Sequence, residues 1–256
     1  MSEIHEVHAR LIADCNGDPA VEAEVVLRSG IVGRASVAGK DVSMQDVRII
    51  SEAVSPELEG PDVIDQMELD LAITEAAGTA DRSAVLTVSL ACARAAAEFL
   101  ELPLFRYLGG VRSCVLPELL YFLDGQSLFS PKEAESFPEA FRKCLKIAPA
   151  YLKTPEDFRN DITLIPDTPE TLPGTALDPI DHQTVSGTFA AAEKIHRSGK
   201  KVVLRQTGCT GDDGLADLAV ALNAGFIAPG REAGICVGNR LLRIGEMLGD
   251  LAEYGA

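Results

Sequence analysis

The sequence holds no run of about 18 apolar residues, so no membrane-spanning helix is expected. Its first residues, Met1 to Arg10, contain no apolar stretch of the kind a secretory signal carries. On that basis the protein is expected to be cytoplasmic. Positive charge is scarce: Lys and Arg number 23 against 39 Asp and Glu, a net charge of −16. The longest basic cluster, Arg197-Ser198-Gly199-Lys200-Lys201, is short. Such a chain repels nucleic acid and anionic membranes, and neither is expected as a partner. Cysteine pairing is also missing. The six cysteines at 15, 92, 114, 144, 209 and 236 form no Cys-x-x-Cys pair and have no histidine at ligand spacing, which argues against a zinc site.

What is present is ample apolar material, 46% of 256 residues, enough for one large core or two smaller ones. Residues 4–12 and 20–28 alternate apolar and polar positions as strands do, and Asp14-Cys15-Asn16-Gly17-Asp18-Pro19 between them reads as a hairpin turn. Residues 31–37 can add a third antiparallel strand. Helices are expected over 45–54, over 61–76 with Pro61 in the first turn, and over 82–100 until Pro103 stops the last one.

After Gly109-Gly110 the pattern changes. Residues 116–123 read as one buried strand and 136–152 as a helix. Thr154 to Pro179 carries five prolines and reads as irregular, a length that is usually functional. The end alternates helix 186–198, strand 201–205, helix 212–223, strand 225–228 and helix 239–254, the order of parallel strands with helices packed outside.

The stretch Arg205-Gln206-Thr207-Gly208-Cys209-Thr210-Gly211-Asp212 links a strand to a helix through glycines. Backbone N–H groups and the helix dipole make such a place an anion site. Cys209 lies inside it, where loop N–H groups can lower a thiol pKa; the plainer reading is a solvent-facing loop residue.

Several segments together resemble enolase, in the family's order. Asp14 to Val25 looks like its N-terminal hairpin. Val88 to Ala91 through Pro103-Leu104-Phe105-Arg106-Tyr107-Leu108-Gly109-Gly110 is similar to its domain junction. Ala216 to Ala221, Asn223-Ala224-Gly225 and Asn239 to Ile244 resemble its last barrel units. The resemblance implies an α/β protein with an α+β cap over residues 1–110 and an α/β barrel over 111–256. A full barrel needs about 250 residues, so the barrel is expected to be incomplete, its middle replaced by the irregular segment 154–179.

Enolase chemistry uses a base and Mg²⁺ ions that hold an ene-diolate. The resemblance implies three carboxylate ligands from central barrel strands, for which this chain has no counterpart. The family's catalytic lysine falls on Asp178, its active-site histidine on Arg205 and its phosphate-binding arginine on Gln206, while Thr207 stands for serine. The lysine after the last strand falls on Ala228, and the mobile lid reads Gly39-Lys40-Asp41-Val42-Ser43. The catalytic glutamate has no counterpart between Asp124 and Ser136. Each lost acid–base group costs roughly 10² to 10⁴ in rate.

The chain is therefore expected to have lost 2-phosphoglycerate dehydration and to serve in binding or assembly, as a homo-oligomer, most simply a dimer, because a partial barrel leaves sheet edges to cover. No metal or cofactor is expected unless residual enolase-type chemistry brings Mg²⁺. The alternative is a repurposed enzyme acting on another phosphorylated or carboxylated metabolite. In that case His182 or Asp178 are the catalytic candidates, and Arg205, Thr207, Gly208, Cys209 and Asp212 the ligands of an anionic small molecule. Competing structural readings pair Arg205 with Asp212 or Asp213, bond His182 to the proline-rich loop, and make Asp212 and Asp213 helix caps.

Overall fold

The computed structural model describes residues 1–122, 127–151, 160–206, 208–230 and 233–255, leaving out the side chains of 149–151. β1 (Ile4–Ala13), β2 (Pro19–Leu27) and β3 (Val32–Ala38) form an antiparallel sheet in sequence order. The alternation read in β2 is the burial pattern: Val21, Ala23, Val25 and Leu27 are buried, while Glu22, Glu24 and Val26 are partly exposed. Two glutamates on the outer face hold arginines from both neighbouring strands, Arg10 on Glu22 and Glu24, and Arg34 on Glu24. The inner face packs on helices.

The helix expected over 45–54 is α1 (Met44–Ile49), which widens into a π turn over Ile50–Val54 before α2 (Ser55–Leu58). The helix expected from Pro61 starts later, as α3 (Gln66–Ala77). Pro61 lies instead in a bend before the isolated bridge of Asp62 with Glu3, its carbonyl accepting the N–H of Ile4 at 3.0 Å. Asp65 caps α3 by accepting the N–H of Glu68. α4 (Arg82–Phe99) is capped by Asp81 and lies against β3 and β2. Its alanines permit a very close approach: a Cβ on Gly33 of β3 would stand 2.2 Å from the Ala91 carbonyl oxygen. α5 (Leu104–Gly109) completes this part.

The single strand expected over 116–123 is three short ones: β4 (Val115–Leu116), β5 (Glu118–Leu119) and β6 (Tyr121–Phe122). Pro117 has no N–H to continue a ladder and separates the first two. Each joins a different sheet. Leu123 lies outside the described residues. β7 (Ser127–Pro131) and α6 (Phe137–Tyr151) follow. The stretch expected to be irregular carries β8 (Ile162–Pro166) and β9 (Thr175–Leu177) in its described part, paired to β7 and β10 respectively. Then come α7 (Val185–Arg197), β10 (Val202–Gln206), α8 (Gly214–Ala221), β11 (Phe226–Pro229), α9 (Gly234–Leu248) and β12 (Glu253–Tyr254). The last helix thus starts and ends earlier than its expected span of 239–254. Gly249, at φ 54°, ends it, and the freed chain returns as β12 alongside β4.

β5, β11, β10 and β9 form one parallel sheet in that order. The last strand of this sheet, β11, lies beside β5, a strand from the start of this half of the chain. That is the pairing that closes a barrel at its seam. One sheet face packs on helices, with Val202 and Leu204 in the main core. On the other face Val203, Phe226 and Ala228 meet Leu120 and Leu128, with Phe122, Ile165 and Leu172 against them. The antiparallel sheet β6-β7-β8 therefore covers the face that would line a barrel interior. Among the described residues no single helix is long and apolar enough to cross a membrane.

Candidate functional site

The glycine loop after β10 is fastened to the cap sheet. Gly208 abuts Ala38 so closely that a Cβ there would stand 2.3 Å from the alanine Cβ. The Cys15 N–H in the β1–β2 hairpin donates to the Cys209 carbonyl at 2.8 Å. Cys209 is buried, not solvent-facing as its plainer reading had it. Thr210 Oγ1 bonds to the Ser36 carbonyl at 3.0 Å and to its hydroxyl at 2.9 Å. Thr207 lies outside the described residues.

Asp212 occupies the place an incoming anion would take. Its carboxylate accepts the Gly214 N–H at 2.7 Å at the start of α8, and the Ser36 N–H at 2.9 Å. Arg94 from α4 grips both its oxygens at 2.6 and 2.8 Å and reaches Asp213 at 3.1 Å. The positive end of this helix is neutralised by the protein's own carboxylate. A second pair lies just beyond it. Asp217 inside α8 receives Arg240 at 2.6 and 2.7 Å and the Phe105 N–H at 3.2 Å. Burial pushes the Asp217 carboxyl above its ordinary range, against the pull of Arg240.

Arg205, at the carboxyl end of β10, pairs with neither Asp212 nor Asp213. It makes a two-pronged bond to Asp167 at 2.9 and 2.8 Å and lies over the Phe122 ring, 5.6 Å from its centroid. Asp167 comes from the proline-rich stretch just after β8. A guanidinium so paired and half-buried is already satisfied by an internal carboxylate.

Asp178 caps the 3₁₀ turn Pro179–His182 by accepting the Ile180 N–H at 3.0 Å. Burial raises its carboxyl, and neighbouring Asp181 raises it further. His182 ends the same turn half-buried, and no side-chain hydrogen bond forms on its ring among the described residues. Asp178 and Gly208 line a cleft of about 720 Å³ between the cap hairpin, the lid residues and the barrel-strand ends. Asp14 and Asp18 face it from the hairpin, Asp41 from the lid, Asp81 from the start of α4, and Asp178 and Asp181 from the 3₁₀ turn. Among the described residues, the cations lining it with these six carboxylates are Lys40 and Arg82. The lid itself is tied down at its end, where Ser43 and Asp46 form a capping box and Asp46 also accepts the Asp81 N–H at 2.7 Å.

The candidate residues thus separate. Asp178 and Gly208 reach the acidic cleft, and Arg205 turns to Asp167. Asp212 lines a different cleft, of about 890 Å³, between β3, α4 and α8. The sequence reading missed Arg94 and Asp167. Arg94 had a signal, a lone charge within the alanines of α4; Asp167 had none, because its partner lies 38 residues away. Among the described residues no three His, Cys, Asp or Glu side chains are grouped to hold a metal ion.

Two family models match the chain. The enolase N-terminal domain matches residues 38–108, from the end of β3 into α5. The enolase C-terminal TIM barrel domain matches 180–256, from the 3₁₀ turn through α7, β10, α8, β11 and α9. Together they cover more than half of the chain. The span between them, 109–179, contains the antiparallel β6-β7-β8 sheet.

Proposed function

This chain belongs to the enolase family, and on that premise we propose that it is a member without 2-phosphoglycerate dehydratase activity, retained for binding or assembly. The observation that carries this reading is the charge of the cleft. Where the family resemblance puts a lysine stands Asp178, among the described residues one of six carboxylates lining a cleft with two cations. A substrate that carries both phosphate and carboxylate meets repulsion there. The cationic clamps are spent elsewhere: Arg205 on Asp167 and Arg94 on Asp212. Differential binding of the transition state needs charge where the reaction develops it, and in this cleft the balance of charge has the wrong sign.

The test is a thermal-shift series on the purified protein with Mg²⁺ and 2-phosphoglycerate or phosphoenolpyruvate, beside a turnover assay. A ligand at 100 times its Kd stabilises by about 2.7 kcal/mol, well within reach of the method. We expect no shift and no turnover. A Mg²⁺-dependent shift together with turnover would restore the ordinary family reaction and end this proposal. A shift with a different phosphorylated or carboxylated metabolite would replace it with a repurposed enzyme.

A further inference from the structure

A third cavity, of about 660 Å³, lies between α3, α5 and α7 and shares no lining residue with the two clefts above. Met67, Leu108, Phe189 and Ala190 give it apolar walls, and Met67 is 76% exposed. Hydrogen bonds between its helices hold the groove in shape. Asp70 in α3 accepts the Ser186 N–H of α7 at 2.8 Å and the Ser89 hydroxyl of α4 at 2.5 Å, and Ser89 in turn accepts the Val185 N–H at 2.9 Å. A site held this way loses little freedom when it is filled. Its polar side chains offer acceptors. Gln66 spends its amide N–H groups on Asp70 at 2.9 Å and the Ser89 carbonyl at 3.1 Å, and its buried Oε1 accepts no hydrogen bond among the described residues. Tyr107 donates its hydroxyl to the Ile64 carbonyl at 3.1 Å, which leaves the oxygen only acceptor capacity for a further partner. Burial pushes the Tyr107 hydroxyl up to about 12, and the carboxylates of Asp70, Asp65 and Asp62 add to the rise, so it stays protonated at neutral pH. Glu193 adds a carboxylate, and Ser186 a hydroxyl that serves in either sense. No Lys or Arg is among the described residues that line the groove.

We propose that this groove binds an apolar organic ammonium ion, its hydrocarbon body against Met67, Leu108 and Phe189 and its N–H groups donating to the Tyr107 oxygen and the Glu193 carboxylate. The size suits it, since sites for small organic molecules run from about 300 to 1,000 Å³ with mostly apolar walls and a few polar groups. Charge selects the head group. A carboxylate or phosphate meets Glu193, with Asp62 and Asp65 close by, and no lining cation to receive it. A neutral hydrocarbon fills the groove but leaves the acceptors it covers without donors, which is unfavourable once water is displaced. An ammonium ion supplies those donors, matches the sign of the site, and can also lie over the aromatic rings of Tyr107 and Phe189. Glu193 is bound to Arg197 at 2.6 Å, but both side chains are exposed, and such a pair opens at little cost.

The experiment titrates the full chain, isotope-labelled in its methionine methyl groups, with three probes of one shape: phenylbutylamine, phenylbutanol and phenylbutyrate. The four methionines separate the sites. Met67 lines this groove, Met247 lines the cleft beside Asp212, and Met44 follows the lid of the acidic cleft. The ammonium probe is expected to move the Met67 methyl signal to saturation while Met44 and Met247 stay in place. It should bind about tenfold more tightly than the alcohol, the worth of a charge-assisted hydrogen bond, and the carboxylate should not bind. Glu193→Gln, at an exposed position and checked for an unchanged melt, should erase most of the preference for the amine over the alcohol while the alcohol binds as before. Phe189→Ala should weaken amine and alcohol alike. A Met67 signal that does not move, a response at Met44 or Met247 instead, equal binding of the three probes, or a preference for the amine that survives Glu193→Gln would each overturn the proposal.

Discussion

Asp178 shows how burial changes what a carboxylate does. The carboxylate sits half-buried, accepts the Ile180 N–H and has Asp181 as a neighbour, so its pKa in the fold is raised above the unfolded value. The folded state therefore holds the proton more tightly than the unfolded chain. The stability this contributes is fully present below the ordinary aspartate value of about 3.9 and is lost as pH rises through the folded value. Asp178→Asn keeps the acceptor for Ile180 and removes the charge. It is expected to be more stable than the parent at neutral pH, with the two converging as pH falls below about 3.9. Urea unfolding at several pH values checks this; a parent more stable than the variant at neutral pH would refute it. Arg205 and Asp212 were legible as charged, but the pairing of Arg205 with Asp212 or Asp213 read from sequence is not the one formed. Residue type is local information, whereas the partners Asp167 and Arg94 lie 38 and 118 positions away.

Among the elements, the contact of β3 with α4 is the tightest sequence-to-structure link. α4 is rich in alanine, and Gly33 sits where a Cβ would be 2.2 Å from the Ala91 carbonyl oxygen and 2.4 Å from the Ala95 nitrogen. Both obstacles are backbone, which cannot rotate away. Gly33→Ala should force the sheet and helix apart and cost about 1 to 3 kcal/mol. Equilibrium denaturation measures it, and a cost near zero would show that the two elements yield more readily than this packing implies. Long periodic elements were legible in sequence because their inner faces alternate or recur regularly: β1 to β3, α4 and α7 lie close to their expected spans. The stretch Val115–Phe122 was not, since a run apolar but for Pro117 and Glu118 hides a proline break and three short strands with three different partners.

At the scale of the whole molecule, among the described residues the parallel sheet of four strands ends at β9 on one side and β5 on the other, each of two or three residues. The β6-β7-β8 sheet covers one face of it, with Leu128 and Phe226 in a common cluster, but covering a face does not pair an edge. The family premise and these edges lead us to propose a homodimer. Multi-angle light scattering at micromolar concentration should return twice the chain mass of 27.2 kDa; a monomer across that range would rule the dimer out.

The sequence by itself determined the α+β cap, the alternating α/β ending, the enolase resemblance and the acidic character, because each is written in short-range periodicity, local motifs or composition. Only the tertiary structure decided where the charges are neutralised and how the partial barrel is filled. Those outcomes depend on contacts between distant segments: Asp167 reaching Arg205, Arg94 reaching Asp212, and a proline-rich stretch supplying strands β8 and β9. A strand of two to five residues gains its stability from its neighbours rather than its own sequence, which is why a segment that reads as irregular can still lie in a sheet.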